Sequence, residues 1–155
     1  MKKLLSLLLI CAAPPAAPSL CLVVGVADGD TLKARCDGKT YRVRLAQIDA
    51  PERKQPFGTK SKQYLSDMCY MKQAKLLIDG NDRYGRLIAD VGCEGKNANI
   101  ELVRSGMAWV YPRYAKDKAL YSAQDTAKAA KLGLWGGSEK PVPPWKWRRK
   151  NNGKH

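Results

Sequence analysis

Cys21-Leu-Val-Val-Gly-Val-Ala-Asp-Gly-Asp-Thr-Leu-Lys-Ala-Arg-Cys36 holds two apolar-rich runs separated by an acidic turn. Asp-Gly between two such runs is a strong hairpin signal. With Asp28 and Gly29 as the two loop residues, opposed positions sum to 57, so Cys21 faces Cys36 across the hairpin unless a bulge shifts the register. Outward from there, Asp37-Gly38 marks a second turn and Thr40 to Ile48 a long strand. Alternation puts Tyr41, Val43 and Leu45 on one face of that strand and Arg42 and Arg44 on the other. The strand stops at Asp49-Ala50-Pro51. Gly58 to Cys69 has helical spacing, with Tyr64, Leu65 and Met68 as its apolar stripe. Lys72 to Asp79 and Arg86 to Cys93 read as strands around the loop Asn81 to Gly85, and Glu94-Gly95 turns again. Asn97 or Asn99 caps a short helix, Ile100 to Ser105, ended by Gly106. Ala108 to Tyr114 is apolar and aromatic. Asp117 caps a longer helix to Leu132, closed by Gly133.

The order is three strands, a helix, two strands, then two helices. Five short strands joined by tight turns predict a small closed barrel. A helix between the third and fourth strands is the arrangement of an OB-fold. The expected class is α+β, mainly β: a five-stranded OB-fold barrel with about three helices.

The 155 residues amount to about one domain, and 45% are hydrophobic, enough for a core. Lys and Arg number 28 against 14 acids, a formal charge of +14. Such an excess favours a polyanionic partner: nucleic acid, anionic lipid or a phosphorylated molecule. The single histidine is the last residue, His155, which speaks against a Ser-His-Asp triad, a histidine base or His-ligated zinc. Acid–base chemistry here must rest on carboxylates, Lys, Tyr or Cys.

Lys2 and Lys3, the apolar run Leu4 to Ala13 and the small residues before Ser19 make a secretory signal peptide, with Ala17-Pro18-Ser19 as cleavage zone. The run is too short to span a bilayer, which takes about 20 residues. The domain plan is therefore residues 1–19 as signal, 20–137 as one folded domain and 138–155 as a basic, Pro-rich tail. The expected location is outside the cytoplasm, periplasmic or secreted, with no membrane attachment of the mature chain. Cys21, Cys36, Cys69 and Cys93 then lie in an oxidising compartment, and two disulfides follow. The hairpin register pairs Cys21 with Cys36 and leaves Cys69 for Cys93. No Cys-x-x-Cys pair points to zinc. In the tail, Trp145 and Trp147 sit among Lys146, Arg148, Arg149 and Lys150. This pattern suits either single-stranded nucleic acid, by charge and stacking, or one Trp packed on the barrel beside a solvated charge run.

Three segments combine acids and bases: Asp28-Gly-Asp-Thr31, Arg44-Leu-Ala-Gln-Ile-Asp-Ala-Pro-Glu52 and Asp82-Arg-Tyr-Gly-Arg86. Each alone reads as a turn or strand end. In order, spacing and residue type, and together with Leu102-Val-Arg-Ser-Gly-Met-Ala-Trp109, they resemble the staphylococcal nuclease (thermonuclease) family from about Val23 to Trp135. The resemblance implies that Asp30, Asp49 and the main-chain carbonyl of Ala50 bind Ca²⁺, a hard cation that wants oxygen donors. The best-known member has Thr in place of Ala50, a change a main-chain ligand tolerates. It implies that Glu52 activates or orients the attacking water and that Arg44 and Arg86 grip the phosphodiester. Arg42 shares a face with Arg44, but the spacing to Glu52 selects Arg44. Strict alternation places Arg44 and Asp49 on opposite faces, so the chain must bend, and Pro51 marks the expected place. Tyr84, Tyr111 and Tyr114 match positions near the bound nucleotide, although the spacing of the last two differs from the best-known member. The loop Arg53 to Phe57 is shorter than in that member. The expectation is a monomeric, calcium-dependent nuclease acting on DNA, RNA or both, with 3′-phosphate products. The rivals are a non-catalytic nucleic-acid-binding module on the same fold and a basic membrane-surface protein. The Ala-rich helix from Asp117 lacks the strong apolar face the last would need.

Overall fold

A computed structural model describes residues 19–152. The signal-peptide reading, apart from Ser19, and His155 fall outside the described residues. Strand β1 (Ser19–Asp28), β2 (Thr31–Cys36) and β3 (Lys39–Leu45) form an antiparallel meander. A two-residue strand, β4 (Ile48–Asp49), precedes helix α1 (Gly58–Cys69), and β5 (Gln73–Asn81) and β6 (Leu87–Cys93) make the second hairpin. β1 pairs with β5, and β3 pairs in parallel with β6 through Val43↔Leu87, Arg44↔Ile88 and Leu45↔Ala89. That seam closes the five-stranded barrel predicted from the strand order. β7 (Lys96–Asn97) turns back to pair antiparallel with the end of β6, α2 (Ala98–Arg104) follows, and β8 (Trp109–Val110) pairs with β4. Helix α3 (Lys118–Ala129) and a 3-10 turn at Gly133–Trp135 complete the predicted body.

Alternation along the strands fills the barrel. Val23, Leu32, Val43, Leu45, Leu76 and Val91 are essentially inaccessible, and α1 closes one end with Leu65 and Cys69. Burying each such aliphatic side chain stabilises by about 1.5–3 kcal/mol. Both helix caps follow the sequence. Asn97 Oδ1 accepts from Ile100 N at 3.1 Å and Asp117 Oδ1 from Ala119 N at 2.8 Å. Asn97, not Asn99, is thus the cap of α2. Asn99 is fully buried and ties α2 to the barrel: its Oδ1 accepts from Val91 N, and its Nδ2 donates to the Ala46 and Ala89 carbonyls.

The first hairpin differs from its expected register. The loop is Gly29-Asp30, with Asp28 opposite Thr31, because Asp30 N donates to the Asp28 side chain at 3.1 Å and moves the turn one residue on. Two register shifts, at Val23/Gly25 and Val26/Asp28, then return the ladder to Leu22↔Arg35. Cys21 and Cys36 consequently still meet, joined at a Cα–Cα distance of 4.5 Å, and Cys69 joins Cys93 at 5.5 Å. The bend after β3 also lies elsewhere: Gln47, at φ 65°, turns the chain before Asp49-Ala50-Pro51 is reached. A further departure is a fourth helix, α4 (Pro144–Asn152), within the stretch read as a tail. Pro144 opens it, a position where proline's fixed φ suits a helix start, and Pro143 O accepts from Lys146 and Trp147 N.

Candidate active site

Barrel closure determines what can meet. Thr31 lies opposite Arg44 across β2–β3, Arg44 opposite Ile88 across the seam, and Arg86 just before β6. The turn carrying Asp30, the C-terminal end of β3 and the loop before β6 therefore share one end of the barrel. There an open cleft of about 1240 Å³ is lined by Asp30, Arg44, Asp49, Ala50, Glu52, Tyr84, Arg86, Tyr111 and Tyr114, all the non-cysteine candidates from the sequence. Arg42 is exposed and does not line it.

The acids are held by backbone and hydroxyl donors. Asp30 Oδ2 accepts from Ala50 N at 2.7 Å and its Oδ1 from the Thr31 hydroxyl at 3.1 Å. That places the Asp30 turn directly against the Ala50 corner, an approach that glycine at position 29 permits: a Cβ there would lie 2.8 Å from the Ala50 Cβ and 2.5 Å from the Ser61 Cβ. Asp49 is buried, with its side chain 2% exposed. Burial pushes its carboxyl above the ordinary carboxylate range, opposed chiefly by a hydrogen bond from Arg148. Asp28 is pushed up to about 6, first by burial and then by the neighbouring Asp30 charge. Glu52 sits on a loop fastened by Gln55, whose Oε1 accepts from Glu52 N at 3.1 Å.

The arginines are pre-set by different partners. Arg44 Nη1 donates to its neighbour's carbonyl, Leu45 O, at 2.7 Å, and Nη2 lies 3.3 Å from Asp49 and 3.6 Å from Asp30. The bend at Gln47 brings Arg44 and Asp49 together despite their alternation. Gln47 also fixes the aromatic wall, since its carbonyl accepts from Tyr111 N and its Oε1 from Lys116 and Asp117 N. Arg86 Nε donates to Asp82 Oδ2 at 2.7 Å, while Asp82 Oδ1 takes the amides of Tyr84 and Arg86. Burial works against the charge on Asp82, but these bonds outweigh it and hold the carboxyl below its usual value. Tyr84 is exposed and carries Arg83 over its ring at 4.8 Å, with Arg86 at 5.7 Å. Tyr114 is exposed, whereas the Tyr111 ring is covered by Trp145, stacked at 5.3 Å and 7°.

One residue of the site was not among the sequence candidates. Arg148, on α4, donates from Nη2 to Asp49 Oδ2 at 2.7 Å and from Nη1 to Asp49 Oδ1 at 3.1 Å and Glu52 Oε1 at 2.7 Å. These contacts raise its own pKa further above the ordinary arginine value. The available signal was the spacing of Trp145 and Arg148: residues three apart share a helix face.

The donor set suits a hard cation. Asp30 and Asp49 lie side by side, both reached by one Arg44 nitrogen, and every donor is oxygen. Among the described residues no three His, Cys, Asp or Glu side chains close into a full metal cage, so a cation here would complete its shell with water or substrate oxygens. Among the described residues no helix is long and apolar enough to cross a membrane.

The family model described as "Staphylococcal nuclease homologue" matches residues 42–137. The chain is similar to an "Uncharacterized endonuclease" of Haemophilus influenzae, 43% identical over 150 residues, covering 96% of this chain and 84% of the relative. It is similar to an "Uncharacterized endonuclease" of Escherichia coli O157:H7, 41% identical over 129 residues, covering 83% and 84%. It is also similar to a "Micrococcal nuclease" of Shigella flexneri, 36% identical over 155 residues, covering 93% and 88%.

Proposed function

The chain belongs to the staphylococcal nuclease homologue family, and on that premise we propose that it is an exported, monomeric, calcium-dependent endonuclease that hydrolyses phosphodiester bonds in DNA, RNA or both. One observation carries the reading: carboxylates and arginines from three distant segments line a single cleft on a strongly basic protein. A binding module needs only the positive charge. It has no use for Arg44 held against Asp30 and Asp49, which costs favourable charge for a polyanion.

Asp30, Asp49 and the Ala50 carbonyl would hold the cation, with Ca²⁺ the ion that the resemblance implies. When bound it supplies Lewis-acid polarisation of the phosphate. The chain's own groups do the rest. Arg86, steered by Asp82, presents a planar fork that matches phosphate oxygens bidentately. Arg44 adds positive charge where the five-coordinate phosphorus gathers negative charge, and such preorganised charge contributes most in a site that need not reorganise. Glu52 takes the proton of the attacking water as its oxygen bonds to phosphorus, and the P–O5′ bond breaks with the departing 5′-oxygen taking a proton from solvent. Side-chain exposure of 41% leaves Glu52 open to solvent, which suits a residue that must meet a water molecule. Tyr84 and Tyr114 offer exposed aromatic rings to the nucleotide flanking the phosphate, Tyr111 joins them when Trp145 leaves its ring, and the products carry 3′-phosphates.

The test is plasmid digestion by the chain from residue 20 to 155, with Ca²⁺, with Mg²⁺ and with chelator, beside a Glu52→Gln, Arg86→Ala double variant. Smearing that requires Ca²⁺ and is lost in the variant supports the assignment. Intact plasmid retarded in every lane would replace the enzyme with a binding module.

A further inference from the structure

We propose that Arg148 is a cation-released latch: it clamps helix α4 onto the carboxylates of Asp49 and Glu52, and a divalent cation taking Asp49 frees the helix and uncovers Tyr111. The proposal rests on the reading of Asp49 as a cation ligand.

Three features carry it. The grip is complete, since one guanidinium meets both oxygens of Asp49 and also Glu52, and Arg44 adds a contact to Asp49 Oδ1. Both oxygens of Asp49 already receive guanidinium donors at 2.7–3.3 Å and its side chain is 2% exposed, while a Ca²⁺ ion needs a carboxylate oxygen at about 2.3–2.6 Å. The two positive species therefore compete for Asp49 by volume and by repulsion. Second, α4 has few other anchors among the described residues: the buried Pro144, the half-buried Trp147, the stack of Trp145 on Tyr111 with its edge contact to Trp109 at 5.8 Å, and a hydrogen bond from Gln55 Nε2 to Val142 O at 2.6 Å just ahead of the helix. A helix of nine residues does not hold itself together in water. Third, Trp145 and Arg148 are three residues apart, so one helix face covers Tyr111 and plugs the acids at once. Losing the Arg148 contact loosens the cover over the aromatic wall.

Linkage makes the effect reciprocal: the factor by which Arg148 weakens cation binding is the factor by which the cation weakens the latch. Two readouts test this on the chain from residue 20 to 155. Calorimetric titration with CaCl₂ gives the affinity of the wild type, Arg148→Met and Arg148→Lys. Hydrogen exchange of peptides spanning Pro143 to Asn152, with and without Ca²⁺, reports on the helix. The latch predicts about tenfold tighter Ca²⁺ binding by Arg148→Met and faster α4 exchange in the wild type when Ca²⁺ is added. In Arg148→Met exchange is already fast and insensitive to Ca²⁺. Arg148→Lys, which keeps the charge but loses the two-pronged grip, falls between. Equal or weaker Ca²⁺ binding by Arg148→Met overturns the latch and makes Arg148 a fixed positioning residue for Glu52. Unchanged or slowed α4 exchange in the wild type overturns it too, and that arm stands even if Arg148→Met does not fold. Ca²⁺-dependent plasmid cleavage with an unresponsive helix refutes the latch alone. Ca²⁺ binding without cleavage refutes the nuclease assignment alone, and absence of Ca²⁺ binding removes the trigger and the latch with it.

Discussion

Asn99 gives the sharpest test of how the site is supported. Its side chain is fully buried and satisfies three backbone groups: Val91 N–H at 3.0 Å, the Ala46 carbonyl at 3.0 Å and the Ala89 carbonyl at 3.3 Å. Ala46 is where β3 ends and the chain turns toward Asp49. Asn99→Ala strands the Val91 donor and the Ala46 acceptor, while the Ala89 carbonyl keeps its bond from Ala46 N at 2.8 Å. Each buried orphan costs about 1–3 kcal/mol, so two cost about 4 kcal/mol. For a domain of this size roughly 2–4 °C of Tm follows each kcal/mol, giving a drop of about 12 °C. Asn99→Asp tests the same geometry with a sign. An aspartate can accept from Val91 but can donate to the carbonyls only when protonated. Its folded pKa must therefore rise above the unfolded value of about 3.9. The variant's stability is then fully present below the unfolded pKa and is lost as pH rises through the folded one. Thermal melts followed by circular dichroism at pH 4.5 and 7.5 measure both. An Asn99→Ala cost under about 1 kcal/mol, below the range for a single orphan, or an Asn99→Asp deficit that does not grow with pH, would refute the reasoning.

Three further outcomes follow from the geometry. At Gly58 a Cβ would lie 2.1 Å from the Glu52 carbonyl oxygen, so Gly58→Ala must displace the Glu52 loop; a misplacement near 1 Å costs roughly 10²-fold in turnover, read as a fall in kcat in the plasmid or a fluorogenic assay. Asp90 is pushed upward by burial first and by the Asp117 and Asp79 charges next. Its folded pKa exceeds the unfolded one, so it costs stability increasingly as pH rises from the unfolded pKa through the folded one; Asp90→Asn should raise Tm at pH 7.5 and bring no gain at pH 3.5. The Cys69–Cys93 bridge spans 24 residues, and chain-entropy arithmetic gives about 3.5 kcal/mol for a loop of that size. Replacing both cysteines with alanine should lower the denaturant midpoint accordingly, and an unchanged midpoint would dismiss that arithmetic.

Much of the barrel could be read because its signals are local. Alternation marks Val43 and Leu45, the stripe around Leu65 gives α1 with the bounds Gly58 and Cys69, and acidic or amide caps start α2 and α3. The candidate site could be read because its residues come in three compact segments. What escaped depends on distance in sequence. Gln47 takes its positive φ and its bonds to Lys116 and Asp117 from partners about 70 residues away. Asn99 reads as one of two possible caps because nothing nearby announces a burial site shared with Ala46. Arg148 looked like solvated charge because Asp49 and Glu52 lie 99 and 96 residues earlier. The shifted hairpin loop came from one side-chain hydrogen bond at Asp28, whose effect two bulges absorbed before the cysteines.

The parallel seam between β3 and β6 has a consequence for timing. The meander from β1 to β3 and the hairpin of β5 and β6 can each form from near neighbours in sequence. The seam joins residues some 44 positions apart, Val43 with Leu87 and Arg44 with Ile88, and pairings of that separation carry the loop-closure cost that slows folding. Arg44 belongs to one side of the join and Arg86 immediately precedes the other. A chain in which that seam is still open owns every group of the cleft and has not yet brought Arg44 and Arg86 to the same end of the barrel. Closing the seam is thus also assembling the cleft: a molecule in which it is open has the residues of the site without their arrangement.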